Sequence, residues 1–117
     1  MISRKHRFHG YRGLKAVYRF GVNSRGPLFA IKSLKNPKRQ DYRLAVVVSR
    51  KVHKSAVARN RMRRRLYEIV RGLEKDITQP HDIVLTVFHS GVLDEPPAKL
   101  TKQVKKQLKE VGVLGQG

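Results

Sequence analysis

Ser49 to Arg71 reads SRKVHKSAVARNRMRRRLYEIVR, and it follows without a break on Tyr42 to Ser49, YRLAVVVS. The two stretches together decide the fold, because the hydrophobic period changes between them. Leu44 to Val48 is an unbroken apolar run ending in three β-branched residues, which predicts a strand covered on both faces. Beyond it, Met62, Leu66, Ile69 and Leu73 recur at spacings of four, three and four, which predicts a helix over about Ser55 to Leu73 with that stripe on a core. A buried strand followed so soon by a long amphipathic helix implies a sheet for the helix to lie on.

The flanking sequence extends this pattern. Downstream, Pro80 closes the helical region and Asp82 to Phe88, DIVLTVF, predicts a second buried strand. Pro96 and Pro97 suit the start of a last helix, whose apolar stripe is Leu100, Val104, Leu108 and Val111. The end of the chain, 112–117, with its Gly-Gln-Gly, reads as frayed. Upstream, Asn36 to Asp41, NPKRQD, is a turn, and Leu28 to Leu34 predicts a strand. A helix is expected from about Gly10 to Phe20, with Leu14, Val17 and Tyr18 on one face and Gly21 as its stop. Met1 to His9 reads as a basic arm. With 117 residues the chain forms a single domain, 1–117, of class α+β, with one central sheet and helices packed on it.

Charge narrows the function. There are 27 Lys and Arg against 8 Asp and Glu, a net charge of +19, and no acid precedes Asp41. Solubility needs far less than this. A polyanion would be attracted through counterion release, so nucleic acid is the first candidate partner. An anionic membrane comes second, without an amphipathic anchor or a lipidation signal, and the longest apolar run, Leu44 to Val48, is too short to span one. The absence of cysteine excludes disulfides, thiolate zinc sites and Cys nucleophiles, and it fits a reducing cytoplasm.

The charge peaks between Arg50 and Arg71. Arg50, Lys51, Lys54, Arg59, Arg61, Arg63, Arg64, Arg65 and Arg71 stand there against one acid, Glu68. With the apolar stripe on the core, the arginines project to the other side. Their planar forks match phosphate oxygens, and Asn60 adds a donor and an acceptor within the cluster. Like charges at these spacings repel within a helix, so an outside partner is expected to neutralise them. Charge alone does not separate RNA from DNA. Nor do the residues suggest a protein nuclease. The acids fall mostly in turns and helix ends at spacings that match no metal motif. His81 and His89 flank a strand as structural residues, His6 and His9 lie in the arm as RNA or solvent contacts, and His53 is a candidate phosphate contact.

Placed after this strand, Ser49-Arg50-Lys51, Arg59-Asn60-Arg61 and Arg63-Arg64 are similar to the signature of the bacterial ribonuclease P protein family, and the likeness spans roughly residues 4 to 111. The resemblance implies a ribosomal protein S5 domain 2-like fold in the order α-β-β-β-α-β-α, with a left-handed crossover where general rules give a right-handed one. It implies a protein subunit of an endoribonuclease that matures tRNA 5′ ends in the cytoplasm. The partners would be the catalytic RNA and precursor tRNA, with no membrane and no obligate protein partner. The chemistry would belong to Mg2+ on the RNA, with no catalytic residue, metal site or cofactor on the protein. The family's docking helix maps to Arg59, Asn60, Arg61, Arg63 and Arg64, extended by Arg50, Lys51 and Lys54. Its cleft for the 5′ leader maps to Leu14, Tyr18, Ala30 and Lys32. Here the chain departs from the family, since Leu14 and Lys32 stand where aromatics are usual. The turn His53-Lys54-Ser55 lacks a glycine, and Tyr67 replaces an arginine. The alternatives are a ribosomal or other structural RNA-binding protein, which would share this composition, and a DNA-binding architectural protein.

Overall fold

The computed structural model describes residues 4–8 and 12–115. Its elements are α1 (Arg12–Phe20), β1 (Val22–Arg25), β2 (Phe29–Lys35), β3 (Arg43–Val48), α2 (Ala56–Leu73), β4 (His81–Val87) and α3 (Pro97–Glu110), with short 3-10 turns at Arg4–His6, Glu74–Asp76 and Ser90–Leu93. The order α-β-β-β-α-β-α is the one anticipated. Gly10, where α1 was expected to begin, lies outside the described residues, as do Met1 to Ser3, His9 and the last two residues. The strand that the sequence did not locate is β1, whose sequence Val22-Asn23-Ser24-Arg25 carries no β-branched run.

The four strands form one sheet in the order β1-β2-β4-β3. β2 runs antiparallel to β1 and β4, and β3 lies parallel to β4, joined to it through α2. Alternation along each strand divides the side chains between two faces. Phe29, Ile31, Leu44, Val46, Val48, Ile83, Leu85 and Val87 meet Met62, Leu66 and Val70 of α2 and Leu100, Val104 and Leu108 of α3 in the main core. On the other face, Val17 of α1 and Val84 are both buried. β4 is central and covered on both sides, as its apolar run requires. β3 is not. It is an edge strand, and Val47 on its second face is 37% exposed. Its edge is guarded by α2, where the Tyr67 hydroxyl accepts from the Val46 amide at 3.2 Å.

The two longer helices start and stop for local reasons. Ser55 caps α2, its Oγ accepting from the Ala58 amide at 3.2 Å. The buried stripe of α2 is Ala58, Met62, Leu66 and Val70, while Ile69 and Leu73, expected at its centre, are partly buried on its flank. Pro97 opens α3. α3 ends in a Schellman motif, with Gly112 at φ 81° donating to the Lys109 carbonyl and Val113 donating to the Leu108 carbonyl. That turn folds Val113 and Leu114 back into the core, so residues 112–115 are not the frayed tail that their composition suggested.

The N-terminal segment is likewise more than a basic arm. His6 is buried, donates through Nδ1 to the Tyr42 carbonyl at 2.9 Å and stacks on the Tyr42 ring at 3.9 Å, which overturns its reading as an RNA or solvent contact. The Tyr42 hydroxyl donates to Glu74 at 2.8 Å, and burial followed by that bond raises its pKa. Asp82, 2% exposed, accepts two bonds from Arg43 at 2.8 and 2.7 Å and one from Asn36 at 3.0 Å, while the Phe8 ring lies 4.5 Å from the Arg43 guanidinium. The Asp82 hydrogen bonds raise the Arg43 pKa.

Gly112→Ala is expected to destabilise the chain by roughly 1–2 kcal/mol, because a Cβ disfavours the left-handed backbone that seats Val113 and Leu114. Urea unfolding would measure this, and an unchanged midpoint would contradict it.

Candidate nucleic-acid interface

With its stripe held on the sheet, α2 presents the opposite face to solvent. Asn60, Arg61 and Arg64 are exposed there, with Arg63 half-buried beside them. Asn60, Arg63, Arg64 and Tyr67 line a recess of about 190 Å³, and Arg63 donates to the Asn60 side chain. The turn after β3 contributes Arg50, Lys51, His53 and Lys54, which line an open hollow of about 500 Å³. Arg50, Lys51, Lys54, Arg61 and Arg64 have no side-chain partner among the described residues. The protein therefore leaves these cations unneutralised on one side, facing solvent.

Two arginines of the run are used differently. The Arg59 Nη1 donates to the carbonyls of His53 and Lys54, both at 2.9 Å, and so pins the 50–54 turn to the first turn of α2. Arg65 points the other way. It donates to the carbonyls of Val92, Leu93 and Glu95 at 2.6, 3.0 and 2.6 Å, holding the connection between β4 and α3. His53 Nδ1 accepts from the Ser55 amide at 3.0 Å, which leaves its Nε2 side for any outside contact.

The expected cleft residues lie between α1 and the second face of the sheet. Tyr18 is 47% exposed rather than sharing the core face with Val17, and Leu14 is half-buried. The Lys32 Nζ donates to the Tyr18 carbonyl at 2.8 Å and sits 6.0 Å from its ring. Register places Lys32 level with Asn23 and Val84, and Ala30 level with Arg25 and Thr86. Sequence reasoning missed the aromatic at the far end of this floor. Phe88, 36% exposed, carries the Arg25 guanidinium 4.3 Å from its ring. It stands two rows along from Lys32, roughly 13 Å at the usual rise per residue. Its signal was present as the terminal residue of DIVLTVF, but only strand pairing reveals which face it shares.

Carboxylates that might bind metal are largely engaged. Asp82 is held by Arg43 and Asn36, Glu74 by Tyr42, and Glu110 by the Ser24 hydroxyl at 3.0 Å. Among the described residues no three His, Cys, Asp or Glu converge on a common point. His81 and His89 make local backbone contacts, as their flanking positions suggested.

The model of the family described as Ribonuclease P matches residues 2–112. The chain belongs to the ribonuclease P protein family. A "Ribonuclease P protein component" from Picosynechococcus is 34% identical over 90 residues, covering 77% of each chain. Another, from Synechococcus elongatus, is 29% identical over 116 residues, covering 97% of this chain and 95% of its own. Among solved structures, the Staphylococcus aureus RNase P protein superposes with a TM-score of 0.81 over 94% of this chain at 21% identity. The Thermotoga maritima protein gives 0.74 over 86% at 25% identity. Family membership makes the chain the protein subunit of a ribonuclease P, a ribonucleoprotein endoribonuclease of tRNA processing, and does not favour a ribosomal or other structural RNA-binder. No helix among the described residues is long and apolar enough to cross a membrane.

Arg64 and Arg65 are neighbours in sequence with opposite roles, and substitution should separate them. Arg65→Ala is expected to cost about 2 kcal/mol of stability, since three carbonyls lose a charged donor. Arg64→Ala should stay within about 0.5 kcal/mol of the parent. Chemical denaturation of the two variants checks this.

Proposed function

We propose that the exposed face of α2, with the 50–54 turn, docks on the catalytic RNA of ribonuclease P, and that the floor between α1 and the sheet receives the 5′ leader of precursor tRNA. The observation that carries the docking assignment is the set of unpartnered cations, Arg61 and Arg64 on the exposed face of α2 and Arg50, Lys51 and Lys54 on the turn that leads into it, with Asn60 and Arg63 on the same helix. Guanidinium forks suit the fixed phosphate geometry of a folded RNA. Arg59 supports this surface by holding the turn.

In the leader cleft, Tyr18 and Phe88 offer ring faces for bases, and Lys32 and Arg25 offer charge to the phosphates between them. Leu14 and Ala30 furnish the apolar lining. The polypeptide supplies no reacting group. Mg2+ on the RNA would supply the activation of water and the charge at the leaving oxygen, while the protein lowers the repulsion between two RNAs and adds affinity for the leader. The engagement of Asp82, Glu74 and Glu110 by protein donors supports this division of labour. The setting is the cytoplasm, and no obligate protein partner is needed.

Reconstitution tests the docking half. Mixed with a ribonuclease P RNA, the protein should accelerate cleavage of precursor tRNA at low magnesium. The Arg50→Gln/Arg61→Gln/Arg64→Gln variant should bind that RNA more weakly, its log affinity against log salt flattening by about 0.7 to 0.9 per lost phosphate contact. An unchanged slope would remove the docking assignment. For the cleft, Phe88→Ala should weaken binding of leader-bearing precursor by about 1–3 kcal/mol and leave mature tRNA unaffected. Equal loss for both substrates would place Phe88 outside the leader path.

A further inference from the structure

α3 carries a second concentration of charge that the docking face does not use. Lys99, Lys102, Lys105, Lys106 and Lys109 all lie within Pro97–Glu110. At about 100° per residue they fall in an arc of roughly 120°, directly opposite Leu100, Val104 and Leu108. Lys99, Lys102, Lys105 and Lys106 are exposed. Lys99, Lys102, Lys106 and Lys109 follow one another at three or four residues, with Lys105 beside Lys106, so they repel one another along about three turns. The helix has one acid, Glu110, at the edge of the arc, and its carboxylate is taken by Ser24.

The arc continues into a concavity. Lys105 and Lys109 face Lys75, from the turn after α2, across a recess of about 480 Å³ that Asp76 and Thr78 also line. This basic surface is distinct from the docking face. α2 packs over β3, at one edge of the sheet, and α3 over β1 and β2, at the other. Between the helices runs a groove lined by Glu68, Ile69, Gly72, Leu73 and Thr101, with no cation in its lining. Arg65, on that flank of α2, is committed to backbone carbonyls.

The chemistry of the arc indicates its ligand. It contains only lysines, point charges on flexible stems without the fork that fixes a bidentate geometry. It also contains no aromatic residue, so it offers unstacked bases nothing. A row of such charges about one helix long fits a regular line of phosphates. We propose that the α3 lysine arc and the Lys75 recess form a second RNA site, which takes the phosphate backbone of a duplex segment separate from the one docked on α2. This rests on the reading of the chain as an RNA-bound subunit, but on none of its docking residues.

The test uses the full chain, which has no cysteine, so one introduced thiol is unique. A hydroxyl-radical probe is attached at Ala98→Cys on α3 or at Val57→Cys on α2, both exposed, with a ribonuclease P RNA as ligand. The expected result is two sets of strand cuts in different segments, those from position 98 falling in a duplex. The Lys102→Gln/Lys105→Gln/Lys106→Gln variant should lose the position-98 cuts, keep the position-57 cuts, and flatten the salt slope by about two log units. Full retention of slope in that variant, position-98 cuts in single strands or none at all, or loss of binding to anionic vesicles in place of RNA would overturn the proposal. Absence of the position-57 cuts alone would instead count against the α2 docking surface.

Discussion

Everything the exposed face of α2 can do depends on how its opposite face is buried. Ala58, Met62, Leu66 and Val70 seat the helix on the β3–β4 half of the sheet and leave it no freedom to rotate. That fixed rotation sends Asn60, Arg61 and Arg64 to solvent, Arg59 and Tyr67 towards β3 and its turn, and Arg65 towards the β4–α3 connection. A rotation of one residue, about 100°, would exchange structural and exposed arginines. The apolar stripe therefore contributes specificity as well as stability, because it decides which guanidinium groups meet a partner and which bind the protein's own carbonyls.

A chain with net charge +19 must also fold against its own repulsion. Two of its acids are placed where one carboxylate joins several segments. Asp82 ties β4 to Arg43 on β3 and to Asn36 in the preceding turn. Through the ring of Phe8 over Arg43 the N-terminal segment enters the same junction. Glu74 closes the other side through Tyr42, on which His6 stacks. These contacts lie away from the exposed face of α2, so neutralisation within the protein does not dilute the charge of that face. Glu68, on α2 itself, stands in the groove that separates the two basic helices.

The parts legible in the sequence are those where one local rule dominates. The period change at Ser49 located β3 and α2, and the unbroken run from Asp82 located β4. What was not legible depended on partners distant in sequence. The YRLAVVVS run looks as buried as DIVLTVF, yet one is an edge strand and the other central, a difference set by pairing order. His6 looked like part of a solvated arm because its partner, Tyr42, is 36 residues away. The tail beyond Gly112 looked disordered, although the left-handed glycine that suggests a stop is what returns Val113 and Leu114 to the core. Among the basic residues, no local pattern separates Arg59 and Arg65 from Arg61 and Arg64. Only the carbonyls they reach do so.

The cleft shows how a missing side chain can be replaced from another element. Leu14 and Lys32 leave Tyr18 as the one aromatic of the expected set, but the floor continues along the Ala30–Thr86 row to Phe88. One face of that ring is occupied by Arg25 in the free protein. A cation–π contact at an exposed site is worth about 0.5–1 kcal/mol, whereas a base stacked on an aromatic is worth about 1–3 kcal/mol. On the leader reading, exchange of Arg25 for a base is thus downhill, and the displaced guanidinium is released next to the phosphates that flank the base. The pair stores a charge over the ring until a strand arrives. A ring without such a cover would expose more apolar surface in the free subunit and bring no cation to the strand it binds.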